Sequence, residues 1–161
     1  MSIEEYNASV DQYSDAVYRF ILKNLKDQDK AKDVVQDAFE KLWLKAENVS
    51  YSKVKSYLFS TAYHTMIDML RKEKKESRMQ DEEAIILSHT NQYTDLNEVL
   101  NKAVEKLPES QKSVILLRDY EGYSYDEIAG ITGLSESQVK VYIYRGRKFL
   151  KDYIGTVETV L

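Results

Sequence analysis

Cysteine is absent from this chain, which excludes a disulfide framework and any thiolate metal site. One proline and five glycines among 161 residues leave few helix breakers, so long helices are expected nearly everywhere. The two histidines, His64 and His89, lie too far apart for a metal-ligand spacing. No glycine loop suited to cradling phosphate and no Ser/His/Asp grouping occurs, so neither an enzyme, a cofactor nor a metal is expected. No apolar run is long enough to span a bilayer, and no basic region followed by an apolar stretch opens the chain. The expectation is a soluble, cytoplasmic, monomeric protein without membrane insertion.

Charge is abundant and unevenly placed. The formal net charge of −4 disfavours non-specific nucleic-acid binding, which comes mainly from Lys and Arg neutralising phosphates. Yet the stretch Arg71-Lys72-Glu73-Lys74-Lys75-Glu76-Ser77-Arg78 and the third helix of the carboxy-terminal unit are locally basic, whereas the first forty residues are acidic. A chain polarised in this way can touch nucleic acid with two patches and offer acidic surface to a basic protein partner.

Hydrophobic spacing divides the chain into two all-α units, the second a helix-turn-helix. Tyr13, Val17, Phe20 and Ile21 mark a first helix, and Asp27-Gln28-Asp29 a turn. Val34, Val35, Ala38 and Leu42 give the stripe of a second helix over 29–46. After a break with Ser52 as an N-cap, Val54, Leu58, Ala62, Met66 and Met69 define a third. Residues 9–75 read as one helical domain and the polar stretch 76–93 as a flexible linker, with room for a helical turn at Ala84-Ile85-Ile86-Leu87. Leu96, Val99, Leu100, Ala103 and Leu107 restore the helical period, so a second domain is expected over 94–155.

That second unit carries the strongest local signal. Pro108 opens a helix and Gly122 closes it. Ser124-Tyr125-Asp126-Glu127 and Ser135-Glu136-Ser137-Gln138 each fit a capping box, with Gly133 breaking the chain between them. On the last helix Val139, Ile143, Gly146 and Leu150 share an inward face, with Gly146 permitting close helix approach. Ser137, Lys140, Val141, Tyr144 and Lys148 share the opposite face, flanked by Arg145 and Lys151. Such a face suits the DNA major groove, where one good base contact contributes about 1–3 kcal/mol of discrimination. A solvated basic face on an ordinary three-helix bundle is the plainer alternative. The two capping boxes, the glycine turn and the basic outward face together favour the DNA reader.

Taken together, two segments resemble the extracytoplasmic-function class of bacterial RNA polymerase sigma factors. Leu107-Pro108-Glu109, the run from Val114 to Ala129, Val139-Lys140 and Arg145-Gly146-Arg147 are similar to the family's fourth region, which reads the upstream promoter element. The run from Asp33 to Trp43 is similar to its second region, and its Gln36-Asp37-Ala38-Phe39 segment is the more diagnostic. The resemblance implies that Asp33, Gln36 and Asp37, which lie off the apolar stripe, face a coiled coil of core RNA polymerase. Pairing of Asp33 and Asp37 with neighbouring lysines is the competing reading, and Phe39 and Trp43 are expected in the core.

The resemblance also implies that 46–56 aligns with a loop capturing a flipped base of the downstream element. Extracting a base costs a few kcal/mol, returned by stacking and polar walls. Tyr51, Tyr57, Phe59 and Tyr63 are the wall residues implied, although spacing equally allows Tyr57 and Phe59 in the core. Lys53, Lys55, Arg71, Lys72, Lys74 and Lys75 would hold phosphates. Tyr63-His64 departs from the family's usual Arg-Asn, and Tyr57 replaces the usual Trp, which bears on downstream-element preference. The expected partners are core RNA polymerase, promoter DNA and an anti-sigma protein. A stand-alone regulator with a sensing domain and a purely protein-binding adaptor are the rivals. The upstream unit, with an acidic docking helix and no ligand-pocket signature, argues against the first.

Overall fold

In a computed structural model the described residues are 1–79 and 96–160, and every regular element among them is helical. The first group comprises α1 (Ile3–Leu25), α2 (Gln28–Leu44) and α3 (Val54–Met79), with a short 3-10 turn at Tyr51–Lys53 ahead of α3. The second comprises α4 (Leu96–Glu105), α5 (Glu109–Ile115), α6 (Tyr125–Thr132) and α7 (Glu136–Val160). The expected linker overlaps α3 at 76–79; its remainder, including 84–87, lies outside the described residues.

Local chemistry sets the helix ends. α1 starts at Ile3, ahead of the residue 9 boundary, because Ser2 and Glu5 form a reciprocal capping box. It ends at Lys26, whose left-handed φ of 59° lets its N–H donate to the Leu22 carbonyl. Asp27 follows at once as the N-cap of α2, accepting from the Lys30 N–H at 3.1 Å. Two long helices thus reverse direction over two residues. Ser52 does not cap α3; it sits inside the 3-10 turn, which Ser50 precedes.

The core of the first group is built by Val17, Phe20 and Ile21 of α1, Ala31, Val34, Ala38, Phe39 and Leu42 of α2, and Val54, Leu58, Phe59, Ala62 and Met66 of α3. Trp43 departs from expectation. It is 49% exposed and meets Tyr6 edge-on at 5.0 Å between ring centroids. The stripe Ala31/Val34/Ala38/Leu42 already fills the inward face, and Trp43 is rotated about 100° from Leu42 on the helix.

In the second group α7 packs across α4, α5 and α6. α5 does not end as a regular helix: Leu116–Tyr120 continues as a π-helical turn, which Gly122 terminates at a φ of +77°. The two groups are not held apart. α3 packs on α6 and α1 on α5, so one continuous set of buried side chains runs through both.

Candidate nucleic-acid and polymerase interfaces

The helix-turn-helix is punctuated as the sequence requires. The Glu127 N–H donates to Ser124 Oγ while the Ser124 N–H donates to Glu127 Oε1, both at 3.1 Å. Gln138 and Ser135 repeat the exchange at the head of α7, at 3.1 and 3.0 Å. Between them Gly133 adopts a φ of +78° and closes α6 on the Ala129 carbonyl. These caps fix the direction in which α7 leaves the turn.

The inward face of α7 holds Val139, Ile143, Gly146 and Leu150, all buried. A Cβ placed on Gly146 would lie 2.9 Å from Ile115 Cγ1, so only glycine lets α7 sit this close to α5. The outward residues Ser137, Lys140, Val141, Tyr144, Arg145, Lys148 and Lys151 are all exposed, Tyr144 by 70%. A groove of about 550 Å³ runs along them, lined by Tyr125, Lys140, Tyr144, Arg147, Lys148 and Lys151 among others.

The cations there are not equivalent. Arg147 donates through Nε and Nη2 to both carboxylate oxygens of Asp119, at 3.2 and 2.5 Å. That hydrogen bonding holds its guanidinium above the ordinary arginine range. Lys140 pairs with Glu136 at 3.6 Å and lies 5.6 Å above the Tyr125 ring. Arg145 has no ion-pair partner among the described residues, which leaves its five donors for a ligand. The π-helical turn, which supplies Asp119, carries no signal in the hydrophobic period and was not foreseen.

On α2, Asp33 and Gln36 are exposed and Asp37 is half-buried. Asp37 follows the competing reading in part: it pairs with Lys41 at 2.9 Å and accepts from Thr65 Oγ1 at 3.3 Å. Asp33 has no such partner among the described residues. The three residues share a face opposite the core stripe.

Between α2 and α3 an open cleft of about 790 Å³ is lined by Asn48, Val49, Ser50, Lys53, Ser56, Tyr57, Ser60 and Thr61. Of the aromatic wall residues taken from the sequence, only Tyr57 lines it. Tyr51 is on the surface, and Phe59 and Tyr63 turn into the interior. Burial raises the Tyr63 phenol above its ordinary pKa. Lys53, Lys55, Arg71, Lys72, Lys74 and Lys75 are all exposed, the last four along the far end of α3, where Lys30 pairs with Glu73 between them.

Residues 10–76 match the family model described as Sigma-70 region 2, and residues 97–150 match Sigma-70, region 4. RNA polymerase sigma factor SigV of Bacillus subtilis is 36% identical, over 83% of this chain and 81% of its own length. ECF RNA polymerase sigma factor SigM of the same organism is 31% identical, over 86% and 88%. The chain belongs to the extracytoplasmic-function class of RNA polymerase sigma factors.

Among solved structures, the sigma factor RpoE of Bartonella quintana, in complex with the anti-sigma factor NepR, superposes with a TM-score of 0.78. That match covers 95% of this sigma factor and 98% of the other chain, at 26% identity. CnrH, in complex with the cytosolic domain of CnrY, shares the fold with a TM-score of 0.69 over 94% of this chain and 88% of that one, at 20% identity. No helix among the described residues is long and apolar enough to cross a membrane.

Proposed function

We propose that this sigma factor binds core RNA polymerase in the cytoplasm and directs promoter-specific initiation, its two modules spanning 9–75 and 94–155. The observation that carries the reading is the pairing of a capped, glycine-spaced α7, presenting an exposed Arg145 that has no ion-pair partner among the described residues, with an upstream module matching region 2. As a binding factor it contributes recognition and strand separation, and the chemistry of RNA synthesis belongs to the polymerase.

Each module has its task in this reading. Asp33, Gln36 and Asp37 dock α2 on a basic surface of the polymerase, where carboxylates accept charge-assisted hydrogen bonds. Ser137, Lys140, Val141, Tyr144, Arg145 and Lys148 enter the major groove of the upstream element. The cleft beside Tyr57 takes a base extruded from the downstream element, with Lys53 and the basic end of α3 on the phosphates. Its Ser50, Ser56, Ser60 and Thr61 hydroxyls and the Asn48 amide can each donate to or accept from a base edge. The neighbours in complex with anti-sigma factors support the same type of control here.

A gel shift with and without core polymerase tests the assignment. The isolated protein should bind promoter DNA weakly at physiological salt, given its net charge of −4, and specifically once polymerase is added. Specific, salt-resistant binding by the protein alone would point to a stand-alone regulator, and no binding in either case to an adaptor.

A further inference from the structure

Between α5 and the turn into α6 the chain winds more widely than an α-helix. The Glu121 N–H donates to the Leu116 carbonyl at 3.0 Å, five residues back, and the Tyr123 N–H to the Leu117 carbonyl at 3.0 Å, six residues back. Wider winding changes the angle at which each side chain leaves the axis, and such turns are frequent at functional sites. Here Leu116 and Leu117 stay in the core while Asp119 comes out on the surface against α7.

Asp119 meets Arg147 with both carboxylate oxygens, Nε donating to Oδ2 at 3.2 Å and Nη2 to Oδ1 at 2.5 Å. Four residues before Asp119 and one before Arg147, Ile115 and Gly146 already crowd each other. One contact alone is a pivot; the second, a turn further along, keeps α7 from rolling about it. Arg147 stands within about 20° of Lys140 around the α7 axis, two turns on. Both line the groove that also takes in Tyr144, Lys148 and Lys151.

The Arg147 side chain is 49% exposed, and its Nη1 amino group lies outside the pair with Asp119. A guanidinium gripped on one edge by a carboxylate has its plane set before a ligand arrives. Less freedom is then lost when the other edge donates to a phosphate. Without Arg147, a carboxylate at this place would only repel that phosphate.

We propose that Asp119 is a positioning residue of the upstream-element reader: it holds Arg147 so that the Nη1 edge receives a phosphate of the DNA backbone beside the groove. The inference rests on the reading of α7 as a DNA-binding helix, and adds to it a backbone contact and the residue that aims it.

Fluorescence anisotropy of the full-length protein on a labelled duplex of arbitrary sequence, titrated with KCl from low salt, tests this. Phosphate contacts carry no sequence information, so no promoter has to be known. Asp119→Asn makes the protein less negative, and charge alone would tighten binding. The proposal requires the opposite, a weakening of about threefold with the salt slope shallower by about one. Arg147→Gln should show the same two changes. In the Arg147→Gln background nothing is left to position, so Asp119→Asn should there leave binding unchanged or tighten it. Affinity of Asp119→Asn equal to or above native, or the same loss in both backgrounds, overturns the assignment. Should Asp119→Asn fail to fold, Arg147→Gln decides, since an unchanged salt slope in that variant overturns the phosphate contact. A native protein that binds no duplex even at low salt sinks the DNA reader and this assignment with it. Native binding with the wrong sign in the cycle sinks only the role of Asp119.

Discussion

Ile115 of α5 and Gly146 of α7 touch across the helix-turn-helix core so closely that a single added methyl has no room. A Cβ at 146 would stand 2.9 Å from Ile115 Cγ1 and 3.2 Å from its Cδ1. Overpacking of this kind costs about 1–3 kcal/mol, and the better helix propensity of alanine offsets about 1 kcal/mol. Gly146→Ala should therefore lower stability by up to about 2 kcal/mol. In Ile115→Ala/Gly146→Ala the losses should be less than additive, by at least about 0.5 kcal/mol. Denaturant titration of the four-member cycle measures this directly, and additive losses would mean that the two side chains do not compete for space.

Arg147 and Arg145 are neighbours on α7 with different employment. Arg147 is tied to Asp119, partly in solvent, so Arg147→Ala should cost about 0.2–1 kcal/mol of stability. It should do less harm to upstream-element binding than Arg145→Ala. Arg145 is exposed and unpaired among the described residues, so its loss should leave stability within about 0.5 kcal/mol of native and weaken promoter binding by the holoenzyme. Thermal melts paired with gel shifts of both variants check the contrast.

The two modules should fail independently. Asp33→Arg reverses an exposed charge on the docking face of α2 and should weaken assembly with core polymerase without altering DNA sequence preference. Arg145→Ala should leave assembly intact. Co-elution with polymerase on a sizing column, read beside promoter binding, separates the effects; equal loss of both properties in either variant contradicts the division.

Alkaline pH should loosen the seam between the groups through Tyr123. Burial, with Glu121 and Glu127 nearby, holds its phenol well above the ordinary 10.0, so the unfolded chain gives up this proton first. Stability is then whole below pH 10 and declines as pH rises beyond it, by at most about 1.4 kcal/mol per unit for one proton. Tyr123→Phe removes the proton and should flatten that decline. Lys112, which donates to the Asn24 carbonyl at 3.5 Å, works in the opposite sense. Its pKa is lowered by burial, so its charge disfavours the fold at neutral pH and that penalty fades as pH climbs toward 10.5. Denaturant midpoints of native and Tyr123→Phe protein between pH 9 and 11 measure the difference.

Much of this was legible because helix punctuation is local. Ser124, Glu127, Gly133, Ser135 and Gln138 act within four residues of one another, so their spacing carries the geometry of the turn, and the period of Val139, Ile143, Gly146 and Leu150 carries the inward face. Ser2 and Glu5 carry the same signal at the amino terminus. What the sequence could not carry was pairing over distance. The partner of Arg147 lies 28 residues away, in a π-helical turn without periodic signature, and that of Arg19 lies 102 residues away. Trp43 was misplaced for a different reason: an aromatic is apolar enough for a core, but its angle on α2 puts it beside the stripe rather than in it. The aromatic wall was mostly misjudged likewise, since Phe59 and Tyr63 share the face of α3 that meets Tyr123, and only Tyr57 points to the cleft.

Run-off transcription with purified core polymerase on a promoter library tests the central claim most directly. The account predicts that adding this protein starts RNA at a restricted set of sites sharing one upstream and one downstream element. Polymerase that binds the protein yet initiates nowhere, or polymerase that ignores it, would contradict the account.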